Sequence, residues 1–166
     1  MTNKSHGTLS ERSADEIDDQ FRALMEGLRT TIPGVMVLFS FLLILPLQST
    51  FADLTTSRTF VFYTAFVSAT AASVLLIAPS VHQRVRAPIS GIKRTSESHV
   101  LFAGKLAIAG TLFFMVSVVA VVYLVSSFVL ASGFALVATT VVALVAGWAW
   151  FYVPLVTFNG SPDGDD

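Results

Sequence analysis

Residues 30–52 read TTIPGVMVLFSFLLILPLQSTFA and lie between Arg29 and Asp53, with no charge and no histidine among them. Such a run is either the core of a soluble domain or a segment that crosses a bilayer. A membrane helix needs about 20 mainly apolar residues to cross roughly 30 Å of hydrocarbon. At helical rise this run reaches about 34 Å.

The rest of the chain settles the choice. It has 166 residues, of which 54% are hydrophobic and only 13% charged, and its mean hydropathy is +0.73. A soluble domain carries about a quarter charged residues, so this chain lacks the polar groups to cover a globule. The charges are also segregated. They fall in residues 4–29, at Asp53 and Arg58, in residues 82–105 and in the last four positions. A second charge-free run, TFVFYTAFVSATAASVLLIAPSV, occupies residues 59–81, and a third covers residues 106–162. The third is long enough for two spans and a tight turn within SSFVLASGF, where Ser132 and Gly133 mark a break and a new helix start. The runs lack the strict alternation of barrel strands.

The expected fold is all-α: an integral membrane four-helix bundle with a preceding amphipathic N-terminal helix. The four spans are read over residues 34–47, 56–78, 98–125 and 133–157. In domain terms, residues 1–12 are a flexible N-terminus, 13–30 a cytoplasmic amphipathic helix, 31–158 the transmembrane domain and 159–166 a disordered acidic tail. Ser13 and Glu16 have capping-box spacing, and Ile17, Phe21, Leu24 and Leu28 fall on one helical face. Pro33 is expected to break or kink the chain at the entry to span one, Pro46 to end that span, and Pro154 to close span four.

Orientation follows from the basic residues. Arg22 and Arg29 precede span one, and Arg84, Arg86, Lys93, Arg94 and Lys105 surround the connection between spans two and three. The other two connections hold only Arg58. The positive-inside rule then places both termini in the cytoplasm of a cell bounded by this plasma membrane. No apolar signal-peptide core is visible in the first twenty residues, so insertion through the spans themselves is expected. The five basic residues of the 84–105 region are candidate contacts for anionic lipid headgroups.

Small-residue stripes carry helix association in lipid. Ala65, Ala69 and Ser73 form one, Ala103, Ala107 and Gly110 a second, and Thr139, Ala143 and Gly147 a third. Packing between spans is the ordinary use of such stripes; contact with a second copy is the alternative, which makes a homo-oligomer a candidate state.

For chemistry, Gln48, Asp53 and Arg58 form a candidate polar mouth for a cation or small substrate. The competing reading is that Asp53 or Thr55 caps span two and Arg58 pairs with Asp53. The hydroxyls of Ser40, Thr64, Ser68, Thr70, Thr111, Ser117, Thr139 and Thr140 can line a pore or bond back to their own helix. No carboxylate, histidine or arginine lies at mid-depth, which weighs against a conventional pump. His82 and His99 are too few for a zinc site, and cysteine is absent. No catalytic set, cofactor motif or nucleic-acid surface is present.

The run GVMVLFSFLLILPLQSTFADL and the later LLIAPSVHQRV resemble a family of small prokaryotic four-span membrane proteins of unknown function. The resemblance rests on Gly34, Leu45, Pro46, Gln48 and Phe51, and on Ala78, Pro79 and His82, and it extends over residues 20–155. Some members of that family carry a sodium/proton antiporter label, so the resemblance implies ion exchange as one activity to test. From the residues alone, a non-enzymatic structural or accessory membrane protein is the leading expectation and a small ion translocator the second.

Overall fold

The computed structural model describes residues 3–90 and 97–158. The order of elements is α1 (Asn3–Ile44), two short 3-10 turns (Leu45–Leu47 and Ser49–Phe51), α2 (Thr56–Ser90), α3 (Glu97–Val129), α4 (Ser132–Gly147), a π-helical turn (Trp148–Tyr152) and α5 (Val153–Phe158). Four stretches are long and apolar enough to cross a membrane: Asp19–Leu47, Thr56–His82, Val100–Val129 and Gly133–Tyr152. The all-α four-helix reading holds. The expected disordered tail at 159–166 lies outside the described residues.

Three boundaries differ from expectation, each at a proline. The amphipathic segment and span one form a single helix that starts at Asn3 and passes through Pro33. It thus includes most of the stretch expected to be flexible. Proline removes one N–H and leaves one carbonyl, that of Arg29, without its helical donor. Just before it, the Thr30 and Thr31 hydroxyls both donate to the Gly27 carbonyl, at 2.8 and 3.1 Å. The cost is one hydrogen bond, and the gain is a continuous packing seam. Phe21, Leu28, Val35 and Leu42 are all buried, seven residues apart, from the amphipathic part into the span. α2 likewise continues past Pro79 to Ser90. In the last span, Pro154 does not close the helix. The turn before it widens to π form, which separates the proline ring from the carbonyl it would otherwise strike. Pro46 does end α1, within the 3-10 turn Leu45–Leu47.

The chain divides into two units, Met1–Phe41 with Ala69–Phe113, and Leu42–Ser68 with Phe114–Asp166. In the first, α2 packs against both α1 and α3. Ile32, Val35 and Met36 of α1 face Ser73, Leu76 and Ile77 of α2 across a gap too narrow for water. Gly110 of α3 sits against Leu75 and Leu76. In the second unit, Ser117 of α3, fully buried, donates to the Ala65 carbonyl of α2 at 2.8 Å. Phe51 meets Phe62 edge to face at 4.9 Å, and Phe114 of α3 stacks on Trp150 at 5.7 Å.

Burial explains the architecture. α2 buries Phe62, Ala65, Ala69, Ala72, Leu76 and Pro79, spaced alternately by three and four residues, together with Ser68. α3 buries Ala103, Ala107, Gly110, Ser117 and Leu124, largely seven apart. Heptad spacing keeps a seam facing its partner in left-handed helix packing. The window of α2 is 33% buried, against 11% for each of the others, so α2 is the core helix. Alanines fill these seams, while Val37, Leu47, Phe60, Val129 and Phe134 point outward. Small residues inside and large apolar ones outside suit a lipid surround, where close approach and not hydrophobic expulsion joins helices. The first expected stripe is shifted accordingly. Ser73 is only half-buried, bonded to the Ala69 carbonyl, and the seam runs through Ala72 and Leu76.

Candidate functional site

The Gln48, Asp53 and Arg58 group was the first candidate. Arg58 lies in the first turn of α2, and its side chain reaches the end of α3. Nη2 donates to the Ser127 carbonyl at 2.6 Å, and the guanidinium lies 4.8 Å from the centre of the Phe128 ring. Ser127 belongs to the last turn of α3, whose final carbonyls have no helical donor. The arginine supplies one, and its charge also complements the negative end of that helix. Arg58 is therefore a cap for a neighbouring helix; the expected pairing with Asp53 is replaced by this contact.

Asp53 is exposed in the turn before α2. The start of α2 is closed by backbone geometry and by its own threonine: the Thr59 amide donates to the Thr55 carbonyl at 3.0 Å, and the Thr59 hydroxyl donates to the same oxygen at 3.2 Å.

Gln48 links the two 3-10 turns. Its amide donates to the Leu45 carbonyl, and its carbonyl accepts from the Phe51 amide. It lines a cavity of about 290 Å³ with Leu45, Phe51, Leu54, Leu124 and Phe128. The structure thus places Phe128 both in the cavity that Gln48 lines and beside the Arg58 guanidinium, and Asp53 does not line the cavity. The lining is one carboxamide and five apolar side chains.

Within the spans, five of the eight candidate hydroxyls turn back to their own backbone. Ser40 donates to Met36, Thr64 to Phe60, Thr111 to Ala107, Thr139 to Ala135 and Thr140 to Leu136, at 2.8 to 3.0 Å. All five bonds reach four residues back, the pattern of serine and threonine in apolar helices. Ser117 reaches across to Ala65 instead.

Of the basic residues near the second connection, Arg84 and Lys105 are exposed. The side chain of Arg86, and Lys93 and Arg94 altogether, lie outside the described residues. Arg84 borders a cavity with Arg22 and Arg29 of α1, two arginines that the chain order gives no reason to group with it. His82 stacks on Phe102 of α3 with ring centres 6.2 Å apart; the side chain of His99 is outside the described set.

No curated protein and no solved structure matches the chain. The family model DUF6328, described as a family of unknown function, matches residues 10–154. That match takes in all four membrane-length helices, the Arg58 cap and the arginine-lined cavity, and the chain belongs to that family.

Proposed function

We propose that the protein is a non-enzymatic, multi-pass component of the plasma membrane that self-associates and serves a structural or accessory role, with both termini in the cytoplasm. The observation that carries this reading is the fate of the intramembrane hydroxyls. Five of them donate to carbonyls four residues back on their own helix, which favours a packed bundle over a hydroxyl-lined path. Where one crosses between helices, at Ser117, it joins two packed backbones. These contacts support the structural reading.

The orientation rests on the charge bias. Nine of the ten lysines and arginines precede span one or surround the connection between spans two and three, and the tenth, Arg58, is engaged by the end of α3. Self-association is supported by α4. Thr139, Ala143 and Gly147 are only half-buried within the chain, and a Cβ on Gly147 would meet no atom within 4 Å. This face is therefore unfilled by the protein itself.

The test is reconstitution into liposomes loaded with a pH-sensitive dye, under imposed sodium, potassium and proton gradients. The expected result is a dye signal no different from empty liposomes. The mass of the detergent-solubilised protein, read by light scattering, should correspond to more than one chain. Gradient-driven flux that Asp53→Asn or Gln48→Ala abolishes would replace this reading with ion exchange, the activity implied by the sequence resemblance.

A further inference from the structure

A second cavity, of about 530 Å³, opens between α1 and α2 within one unit and is lined by Arg22, Met25, Glu26, Leu28, Arg29, Ile32, Ser80 and Arg84. Three guanidinium groups surround it against one carboxylate. Its floor, from Met25, Leu28 and Ile32, is apolar. Arg22 and Arg29 are seven residues apart and so lie on one face of α1, about 10.5 Å from each other along the axis. Arg84 completes the ring from α2. Among the described residues, none of the three guanidinium groups is held in an ion pair. Ser80 stands at the wall, and its hydroxyl faces the Met25 sulfur at 3.8 Å. A thioether is a weak acceptor, so this donor gains by turning to an oxyanion.

The position along the chain matters equally. Arg29 is the last charge before the uncharged run 30–52, and Arg84 is the first arginine after the run 59–81. Both therefore stand where the apolar helices meet the polar edge of the bilayer.

We propose that this cavity binds the phosphate headgroup of an acidic phospholipid, with Arg22, Arg29, Arg84 and Ser80 as donors and the Met25–Leu28–Ile32 floor against the glycerol and upper acyl chain. Guanidinium forks match phosphate oxygens two at a time. Basic pockets between membrane helices suit acidic headgroups. The volume falls within the about 300–1,000 Å³ of small-molecule sites, more than a bare phosphate needs, and an apolar floor has no use for inorganic phosphate. Glu26 opposes the ligand and sets its affinity below what three arginines alone would give. The site is independent of whether the bundle is a scaffold or a translocator, and the liposome flux assay does not bear on it.

The test uses the full-length protein in a mild detergent, with native mass spectrometry counting bound lipid. The probes are phosphatidylglycerol, phosphatidylcholine with the same acyl chains, and inorganic phosphate. Phosphatidylglycerol should be retained about tenfold better than phosphatidylcholine, and added salt should weaken it. Arg29→Gln and Arg84→Gln should each lower its affinity about tenfold, the effect of one charged hydrogen bond. Gly104→Ala, outside the cavity and with open space around its Cα, should leave it unchanged. Glu26→Gln should raise the affinity, a gain that no folding defect imitates. Equal retention of the two lipids, or a Glu26→Gln variant that binds no tighter, overturns the proposal. Displacement of phosphatidylglycerol by inorganic phosphate at matching concentration overturns the lipid assignment in favour of a free anion.

Discussion

Gly110 of α3 meets Leu76 of α2 so closely that a methyl group on the glycine would lie 2.7 Å from Leu76 Cγ and 3.3 Å from Leu75 Cβ. Leu76 is fully buried, and Cγ is the branch point of its side chain, so it cannot swing clear. Gly110→Ala should therefore destabilise the fold by about 1–3 kcal/mol through overpacking, despite the better helix propensity of alanine. Gly104, two turns earlier on the same helix, has no atom within 4 Å of a built Cβ. Gly104→Ala should be neutral or stabilising by up to about 1 kcal/mol. Unfolding in detergent, followed by circular dichroism, separates the two. Adding Leu76→Ala to Gly110→Ala should cost less than the sum of the single changes, because the second removes the atom that the first strikes.

The Arg58 cap gives a second expectation. Arg58→Ala removes a charged hydrogen bond to the Ser127 carbonyl and the contact with Phe128. A loss of about 1.5–3 kcal/mol is expected from the hydrogen bond, with a smaller share from the ring. Arg58→Lys keeps the charge near the helix end but not the planar fork, and should fall between. Asp53→Asn should leave stability unchanged within about 0.5 kcal/mol, since Asp53 is exposed. Equal losses in Arg58→Ala and Asp53→Asn, in the same unfolding assay, would restore the ion-pair reading.

The four spans were legible because charge is a sharp signal: a run without any, bounded by ionised groups, has one reading at this length. The packing phase was less legible. A helix apolar on every side has no hydrophobic face, so hydropathy carries no phase information, and only small-residue spacing hints at the seam. That hint placed Ala65, Ala69, Ala103, Ala107 and Gly110 inside but led to Ser73 where the seam turns to Ala72. The prolines misled for a related reason. Pro33 and Pro79 each remove one hydrogen bond, which the continuous packing of α1 and α2 outweighs, and Pro154 is accommodated by the π turn before it. The candidate site was legible only in part. Arg58 and Gln48 were visible as unusual residues, but a carbonyl partner such as Ser127 leaves no mark in side-chain identity. Arg22, Arg29 and Arg84 are brought together by the pairing of α1 with α2, and arginines more than fifty positions apart carry no sign of it.

Ser117 provides a test of the inter-helix hydrogen bond. Its hydroxyl is wholly buried and donates to Ala65 O. Ser117→Ala removes the bond but leaves the helices free to close, and should cost about 0.6–1.7 kcal/mol, the range for such bonds in membrane bundles. Ser117→Val adds bulk where α3 lies against α2 and should cost more, by overpacking. If valine is tolerated as well as alanine in detergent unfolding, the two backbones are not in close contact at this level.

The π turn aims Trp150 at α3, and its stack on Phe114, with ring centres 5.7 Å apart and planes 9° from parallel, joins the last span to the third. Trp150 is still 39% exposed, so the stack covers one face of the indole and leaves the other to lipid. Phe114→Ala should open the covered face. The chain has two tryptophans, so a Trp148→Phe background isolates the signal from Trp150. In bilayers containing lipids brominated along the acyl chain, Trp150 emission should be quenched more strongly in Phe114→Ala than in the parent, and the unfolding midpoint should fall with a loss of about 0.5–1.5 kcal/mol beyond the area buried. Phe114→Leu should preserve most of the apolar contact and lose only the ring-on-ring share. Quenching that is identical in all three proteins would mean that α4 is held to α3 by its alanines, with Ala135 as the buried anchor, and that the aromatic pair is incidental to the packing.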